Sequence, residues 1–303
     1  MRLLTRSDFD GLACGTLLKE IGVIDCWKFV HPKDIQDGLV EANDNDILAN
    51  IPYIPGCKMW FDHHVSENER LGKVECEGES RHAPSCARII YEYYGGAERF
   101  PQFVEMIEQV DKVDSGQLTI SEILDPKEWI LLGFIMDPRT GLGRFRSFTK
   151  ANYEVMEMLL DECRVKTIEE ILALPDIVER IELYKEQSEL FIDMVEKRTK
   201  IYGNCIVSDL RDVETIYAGN RFLVYAIYPE QNISLWVVDG RAKLNCPIAV
   251  GHSIINRTSK TKVGSLLLKY GGGGHNMVGT CQVDYADADR VIKELIAQIN
   301  TDG

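Results

Sequence analysis

The chain has 303 residues, 45% of them hydrophobic and 27% charged, with a formal net charge of −14. That length allows two domains with real cores. The acidic balance argues against extended duplex nucleic acid as a partner, because such a surface repels a phosphate backbone unless its cations are focused in a groove. No uninterrupted apolar run is long enough to span a membrane. The start, Met1-Arg2-Leu3-Leu4-Thr5-Arg6-Ser7-Asp8, turns polar too soon for a signal peptide.

In chain order, Met1–Thr5 reads as a strand, Leu12–Ile21 has helical spacing, and Cys26–Val30, Asp46–Ala49 and Cys57–Phe61 read as three further strands. Strands joined by helical crossovers indicate a parallel sheet. From Ala83 to about Glu196 the pattern is mainly helical, with helices at 84–94, 100–113, 129–136 and 151–162 and a long amphipathic stretch from Pro175 to Lys200 that could link two domains. Beyond Tyr202-Gly203 the texture becomes β-rich, with expected strands at 205–208, 222–228, 234–238 and 280–283 and helices at 263–269 and 287–300. The fold class is therefore α/β, an N-terminal parallel-sheet domain over residues 1–195 and a smaller α+β domain over 203–303. The nine cysteines include no Cys-x-x-Cys pair and several lie in apolar runs, as expected of reduced core thiols in a cytoplasmic protein.

Three short runs carry chemistry. Asp8-Phe9-Asp10-Gly11 follows the first strand. Its paired acids suit divalent ions that activate water and clamp a phosphoryl group, and Asp8 or Ser7 would equally serve as a helix cap. Asp62-His63-His64 closes the fourth strand, where open α/β sheets place ligands. Alternation there would send one imidazole to a metal and the other to substrate. Gly271-Gly272-Gly273-Gly274-His275, with Arg257 upstream, offers exposed backbone N–H groups to a phosphate. A fourth segment, 137–146, gathers Arg139, Arg144 and Arg146 with two glycines and reads either as a loop that guides phosphates or as a solvated or subunit-contact loop.

The order Asp-x-Asp-Gly, Asp-His-His, Gly-Gly-Gly-Gly-His resembles the DHH/DHHA1 phosphoesterase superfamily over nearly the whole chain. His31-Pro32 and Gly251-His252-Ser253-Ile254 resemble most its exopolyphosphatase-related branch. The resemblance implies a DHH-type domain and a DHHA1-type domain with a cleft between them, and a cluster of one or two divalent ions, Mn before Mg. It assigns Asp8, Asp10, His63 and either Asp114 or Asp111 to metal, and His64 to substrate phosphate with Asp62 holding the histidines. Arg257 would stabilise developing charge, and Arg257, Gly272, Gly273, Gly274 and His275 would hold the substrate. The implied substrate is a small phosphorylated molecule: a short single-stranded oligonucleotide, a nucleoside bisphosphate or short polyphosphate. A homodimer is compatible with it. Two positions depart from the family pattern. Leu4 stands where many members have a metal-binding histidine, and Asn50 stands where the acid that bridges two metals is expected. A neutral amide is a weaker ligand, so one metal site is expected to be weak or the cluster mononuclear, with His31 a candidate substitute ligand. The alternative to an enzyme is a catalytically weakened protein that binds a nucleotide or phosphate for regulation.

Overall fold

The computed structural model describes residues 1–64 and 74–303. It divides into two compact units, Met1–Gln117 with Pro126–Tyr184, and Leu118–Asp125 with Lys185–Gly303.

The first unit is built on strands β1 (Arg2–Thr5), β2 (Cys26–Phe29), β3 (Asp46–Ala49), β4 (Met59–Asp62) and β5 (Glu77–Ser80). They form one parallel sheet in the order β2-β1-β3-β4-β5. The central strands are continuous apolar runs because both faces are covered: helices pack on one, and on the other Leu4, Leu48 and Trp60 pack with Val30, Ile51 and Ile54. Leu3, Leu4, Ile47, Leu48, Ala49 and Phe61 are all fully buried. The edge strand β5, Glu-Gly-Glu-Ser, has no apolar pattern and was not anticipated. Gly78 makes it possible, since its φ is 101° and a Cβ there would lie 2.4 Å from Trp60 O.

Helix α1 (Phe9–Ile21) starts on an Asp8 cap and ends at Gly22 in the left-handed region. It is buried from Phe9 to Leu18, between the sheet and four helices: α2 (Cys86–Tyr93), α3 (Val104–Asp114), α4 (Glu128–Met136) and α5 (Asn152–Val165). Because β2 and β3 flank β1 on opposite sides, the chain reverses direction of build at β1. The carboxyl ends of β1 and β3 are therefore the topological switch point, the place where such sheets hold ligands.

At the other end of the sheet Arg2 donates Nε and Nη2 to the Asp46 carboxylate at 2.7 and 2.8 Å, and Asn43 N adds a third hydrogen bond. Burial works against the charged form of Asp46, but these bonds outweigh it and hold its pKa below the ordinary value. A carboxylate with a depressed folded pKa stabilises the fold above its unfolded pKa and loses that stabilisation as pH falls through the folded value. Arg2→Met is expected to cost about 1–3 kcal/mol at neutral pH, the penalty of stranding a buried carboxylate, and the deficit should shrink below about pH 4. Urea melts of both proteins across pH 3–7 measure this.

The second unit carries a mixed sheet in the order β10-β11-β9-β8-β7-β6, from β6 (Thr199–Tyr202), β7 (Cys205–Asp209), β8 (Ile233–Val237), β9 (Asn245–His252), β10 (Gly273–Gly274) and β11 (Val278–Asp284). Its core packs Val207, Leu235, Ile248 and Val250 against Leu267 and the amphipathic helix Ala288–Asp302. The expected strand at 222–228 is instead a one-turn helix, Leu223–Ile227. A short buried apolar run does not distinguish the two by periodicity. Here Asn220 decides, its Oδ1 accepting from Phe222 N to start the turn. Tyr225 then reaches Ser234 Oγ and Gly251 O with its hydroxyl. Among the described residues no helix is long and apolar enough to cross a membrane.

Candidate metal centre

The acids and histidines singled out near the N-terminus meet at the carboxyl ends of β1, β3 and β4. Asp10, in the first turn of α1, aims its carboxylate at the start of α2. Its Oδ2 accepts from Cys86 N at 2.9 Å and its Oδ1 from Ala87 N at 2.7 Å. An anion at a helix N-terminus is favoured by those unpaired N–H groups and by the helix dipole. Ser85, the cap of α2, keeps that end open toward Asp10 by bonding Arg88 N instead. Gly11 permits the tight entry to α1, since a Cβ there would fall 1.9 Å from Arg6 O.

The two histidines lie just past the end of β4, so strand alternation does not set their directions. Their rings sit 4.3 Å apart at 60°, each turned by its own partner. His63 Nδ1 lies 3.3 Å from Ala83 O, which sets the tautomer with hydrogen on Nδ1 and the lone pair on Nε2. That Nε2 is buried and makes no hydrogen bond, yet it lies 3.3 Å from Asp114 Oδ2 and 3.7 Å from Asp10 Oδ2. A lone pair facing two carboxylates is repulsive unless a cation joins them. The ligand atoms of Asp10, His63 and Asp114 all fall within 4.8 Å of one another, and an imidazole with two carboxylates suits Mn, Fe or Zn. The residues fit a divalent ion.

Electrostatics point the same way. Burial, reinforced by the Asp114 charge, pushes the Asp10 carboxyl up to about 7. Such a site holds a proton for want of a positive charge, and a divalent cation would reverse that shift. His64 sits on the other side. Burial pulls its pKa down, but a 2.8 Å hydrogen bond from its Nδ1 to the fully buried Asp62, with the charges of Asp62, Asp114 and Asp10, lifts it to about 9. His64 is therefore a protonated, half-exposed imidazolium beside the acid cluster, and its Nε2 is not held by Asp62.

Of the two alternative acids on α3, the structure brings Asp114 to His63. Asp111, one turn earlier, turns to Arg88 at 2.7 Å and accepts from Ser85 Oγ at 2.6 Å. Asp8 lies next to the cluster but outside it. Its Oδ1 accepts from Gly11 N at 3.0 Å and from Asn50 Nδ2 at 3.1 Å, and its Oδ2 pairs with Arg6 at 3.0 Å. Asn50 here donates its side-chain amide to Asp8. Its φ of 58° is a conformation asparagine tolerates better than most residues. Leu4 packs in the core with Leu48, Ile51 and Trp60. His31 caps a short helix by accepting from Lys33 N, and is no member of the cluster. Sequence reasoning missed Arg6, whose only signal was a cation two residues before an acid, and missed the Cys86–Ala87 amide pair, which no side chain announces.

The second unit holds the remaining candidates. Gly273 and Gly274 form β10, paired with Thr280 and Gly279 of β11. Gly274 needs its freedom, since its φ is 152° and a Cβ would lie 2.3 Å from Val278 O. Packing within the hairpin therefore accounts for part of the glycine run. The His275 side chain is exposed, and its backbone N donates to Val278 O at 2.7 Å. Arg257 is exposed and donates Nε to Ile254 O at 3.0 Å.

No family model matches the chain, and no curated protein does. Among solved structures, a pGpG-specific phosphodiesterase, PggH from Vibrio cholerae, is 50% identical, with 100% of this chain and 99% of that one covered and a TM-score of 0.87. The chain belongs to the DHH phosphoesterase superfamily. An exopolyphosphatase-related protein from Bacteroides fragilis matches at 12% identity and TM-score 0.54, covering 99% of this chain and 92% of that one. The exonuclease RecJ bound to manganese matches at 14% identity and TM-score 0.52, covering 98% and 90%; both likenesses speak to the fold. The chain is a metal-dependent phosphoesterase acting on a small phosphorylated substrate, and the regulatory alternative gives way to the enzyme. The parallel sheet and the mixed sheet are consistent with DHH and DHHA1 domains.

Proposed function

We propose that this DHH-family enzyme hydrolyses the phosphodiester of a short 5′-phosphorylated dinucleotide, with pGpG its first expected substrate. Water adds across the bond between phosphorus and the 3′ oxygen, so one pGpG yields two GMP. The observation that carries the reading is the 50% identity over the whole chain with a pGpG-specific phosphodiesterase. The unsatisfied Nε2 of His63 between Asp10 and Asp114 supports it from the geometry.

On this reading residues 1–195 form the catalytic domain and 203–303 the domain that takes the rest of the substrate, through Arg257, Gly272, Gly273, Gly274 and His275. Asp10, His63 and Asp114 hold one tightly bound ion, manganese before magnesium. When bound, that ion polarises the phosphoryl group and lowers the pKa of water. Asp62 fixes the orientation of His64, and His64, protonated at neutral pH, offers its Nε2–H to a phosphate oxygen as negative charge builds there. Asp8 anchors α1 and holds Arg6 at the edge of the site. Single-stranded dinucleotides, rather than duplexes, suit so acidic a chain, and nine free cysteines suit a reducing, cytoplasmic setting.

The test is incubation of the purified protein with pGpG and, in turn, Mn and Mg, with GMP followed by chromatography. Two GMP per pGpG, abolished by chelator, is the expected result. No turnover of pGpG with any divalent metal would overturn the dinucleotide assignment.

A further inference from the structure

A cavity in the first unit shares Arg6 with the surroundings of the acid cluster and has a different character. It encloses about 630 Å³ and is lined by Arg6, His31, Arg139, Arg146 and Lys150, with Phe145, Phe148 and Tyr153 among its apolar walls. Among the described residues no acidic side chain lines it, in a chain whose net charge is −14. Three of the cations already have partners: Arg6 pairs with Asp8, Arg139 with Asp137 and Lys150 with Asp176. Arg146 is exposed, and among the described residues no acid pairs with it. Tyr153, 55% exposed, lines the pocket and stacks at 5.7 Å and 12° on Phe29, which steadies its ring. A cavity of this size with aromatic walls and an uncompensated guanidinium has the chemistry to receive a nucleotide: base on ring, phosphate on arginine.

We propose that this pocket is the subsite for the terminal 5′-phosphate of the substrate and the nucleoside next to it, with Arg146 as the phosphate-reading residue. The proposal rests on the dinucleotide reading given above and adds to it a source of discrimination on the first unit. Arg6 connects the two places, pairing with Asp8 beside the cluster while it lines the pocket. The charge of Arg139 reaches the cluster too, acting on Asp8 and Asp114. A substrate whose scissile phosphate faces Asp10 and His63 could therefore set its second phosphate among these cations. Each charge-assisted contact there acts on binding rather than on the reacting bond, so it should appear in KM and not in kcat.

The experiment compares steady-state kinetics of pGpG with GpG, which lacks only the terminal phosphate. The wild type is expected to show a KM for pGpG about tenfold or more below that for GpG, the weight of one charged hydrogen-bonded contact. Arg146→Gln should raise KM for pGpG and close the gap between the two substrates with kcat little changed, and Arg146→Lys should restore part of the gap. Equal KM values in the wild type, or a gap that survives Arg146→Gln, would overturn the subsite while leaving the dinucleotidase standing. No turnover of either compound with any divalent metal would instead remove the reading on which the subsite rests.

Discussion

His63→Ala is expected to abolish metal retention and lower kcat/KM for pGpG by about 10³-fold, the loss of several kcal/mol of charge stabilisation at the phosphoryl group. The reason is local. His63 Nε2 has no hydrogen-bond partner and faces Asp10 and Asp114 at 3.7 and 3.3 Å. Its other nitrogen is tied to Ala83 O, so the ring has little choice of direction. Without the imidazole, two carboxylates remain, one of them already pushed up to about 7 by burial, and a pair of mutually repelling acids holds a divalent ion poorly. Folding should suffer little in the metal-free state, because the imidazole contributes no hydrogen bond from Nε2. The contrast is Asp111→Asn. That change weakens the ion pair with Arg88 and the hydrogen bond from Ser85, so it should lower the melting temperature yet leave a bound ion in place. Metal content after dialysis, the melting curve and kcat/KM separate the two variants.

Asn50→Asp should make the protein's stability depend on metal. Asn50 is 3% exposed and donates its amide to Asp8 Oδ1 at 3.1 Å. Converting that donor into a second carboxylate replaces a hydrogen bond with a buried like-charge contact, and burial already raises the pKa of Asp8. The metal-free variant should therefore lose about 1–3 kcal/mol of stability. The same change supplies a further carboxylate beside the Asp10 and Asp114 carboxylates and the His63 imidazole, so a second ion should be taken up. Ligand binding to the folded state alone stabilises by mass action, and millimolar Mn is expected to recover the lost stability. Thermal melts of the wild type and Asn50→Asp with and without Mn decide it. A variant that melts like the wild type in chelator, or that gains nothing from Mn, would show that Asn50 does not limit the site.

Much of this centre was legible in the sequence because its parts sit at strand ends. The apolar runs Leu3-Leu4, Ile47-Leu48-Ala49 and Met59-Trp60-Phe61 marked buried parallel strands, and the polar residues that followed each run had to emerge on one edge. What sequence could not resolve was direction. Asp111 and Asp114 are one turn apart, and only the position of Arg88 shows which of them is occupied. Asp8 read equally as a ligand or as a helix cap, and in the structure it caps α1 and pairs with Arg6. The edge strand 77–80 and the one-turn helix 223–227 were misread for a related reason: one has no hydrophobic pattern, and the other has an apolar run short enough to serve as either element. The glycine run reads as a phosphate cradle; that Gly273 and Gly274 also pair in a hairpin had no signal of its own. The pocket around Arg146 was visible only as a cluster of arginines, since its lining joins Arg6, Val30 and His31 to residues 138–153, far apart in the chain.

The most direct test of the central claim is a manganese titration of the metal-free wild type, followed at once by calorimetry and by pGpG turnover. The account predicts one tightly bound ion per chain, with activity rising in step with its uptake. Activity that appears only with a second ion, or an ion retained undiminished by His63→Ala, would contradict it.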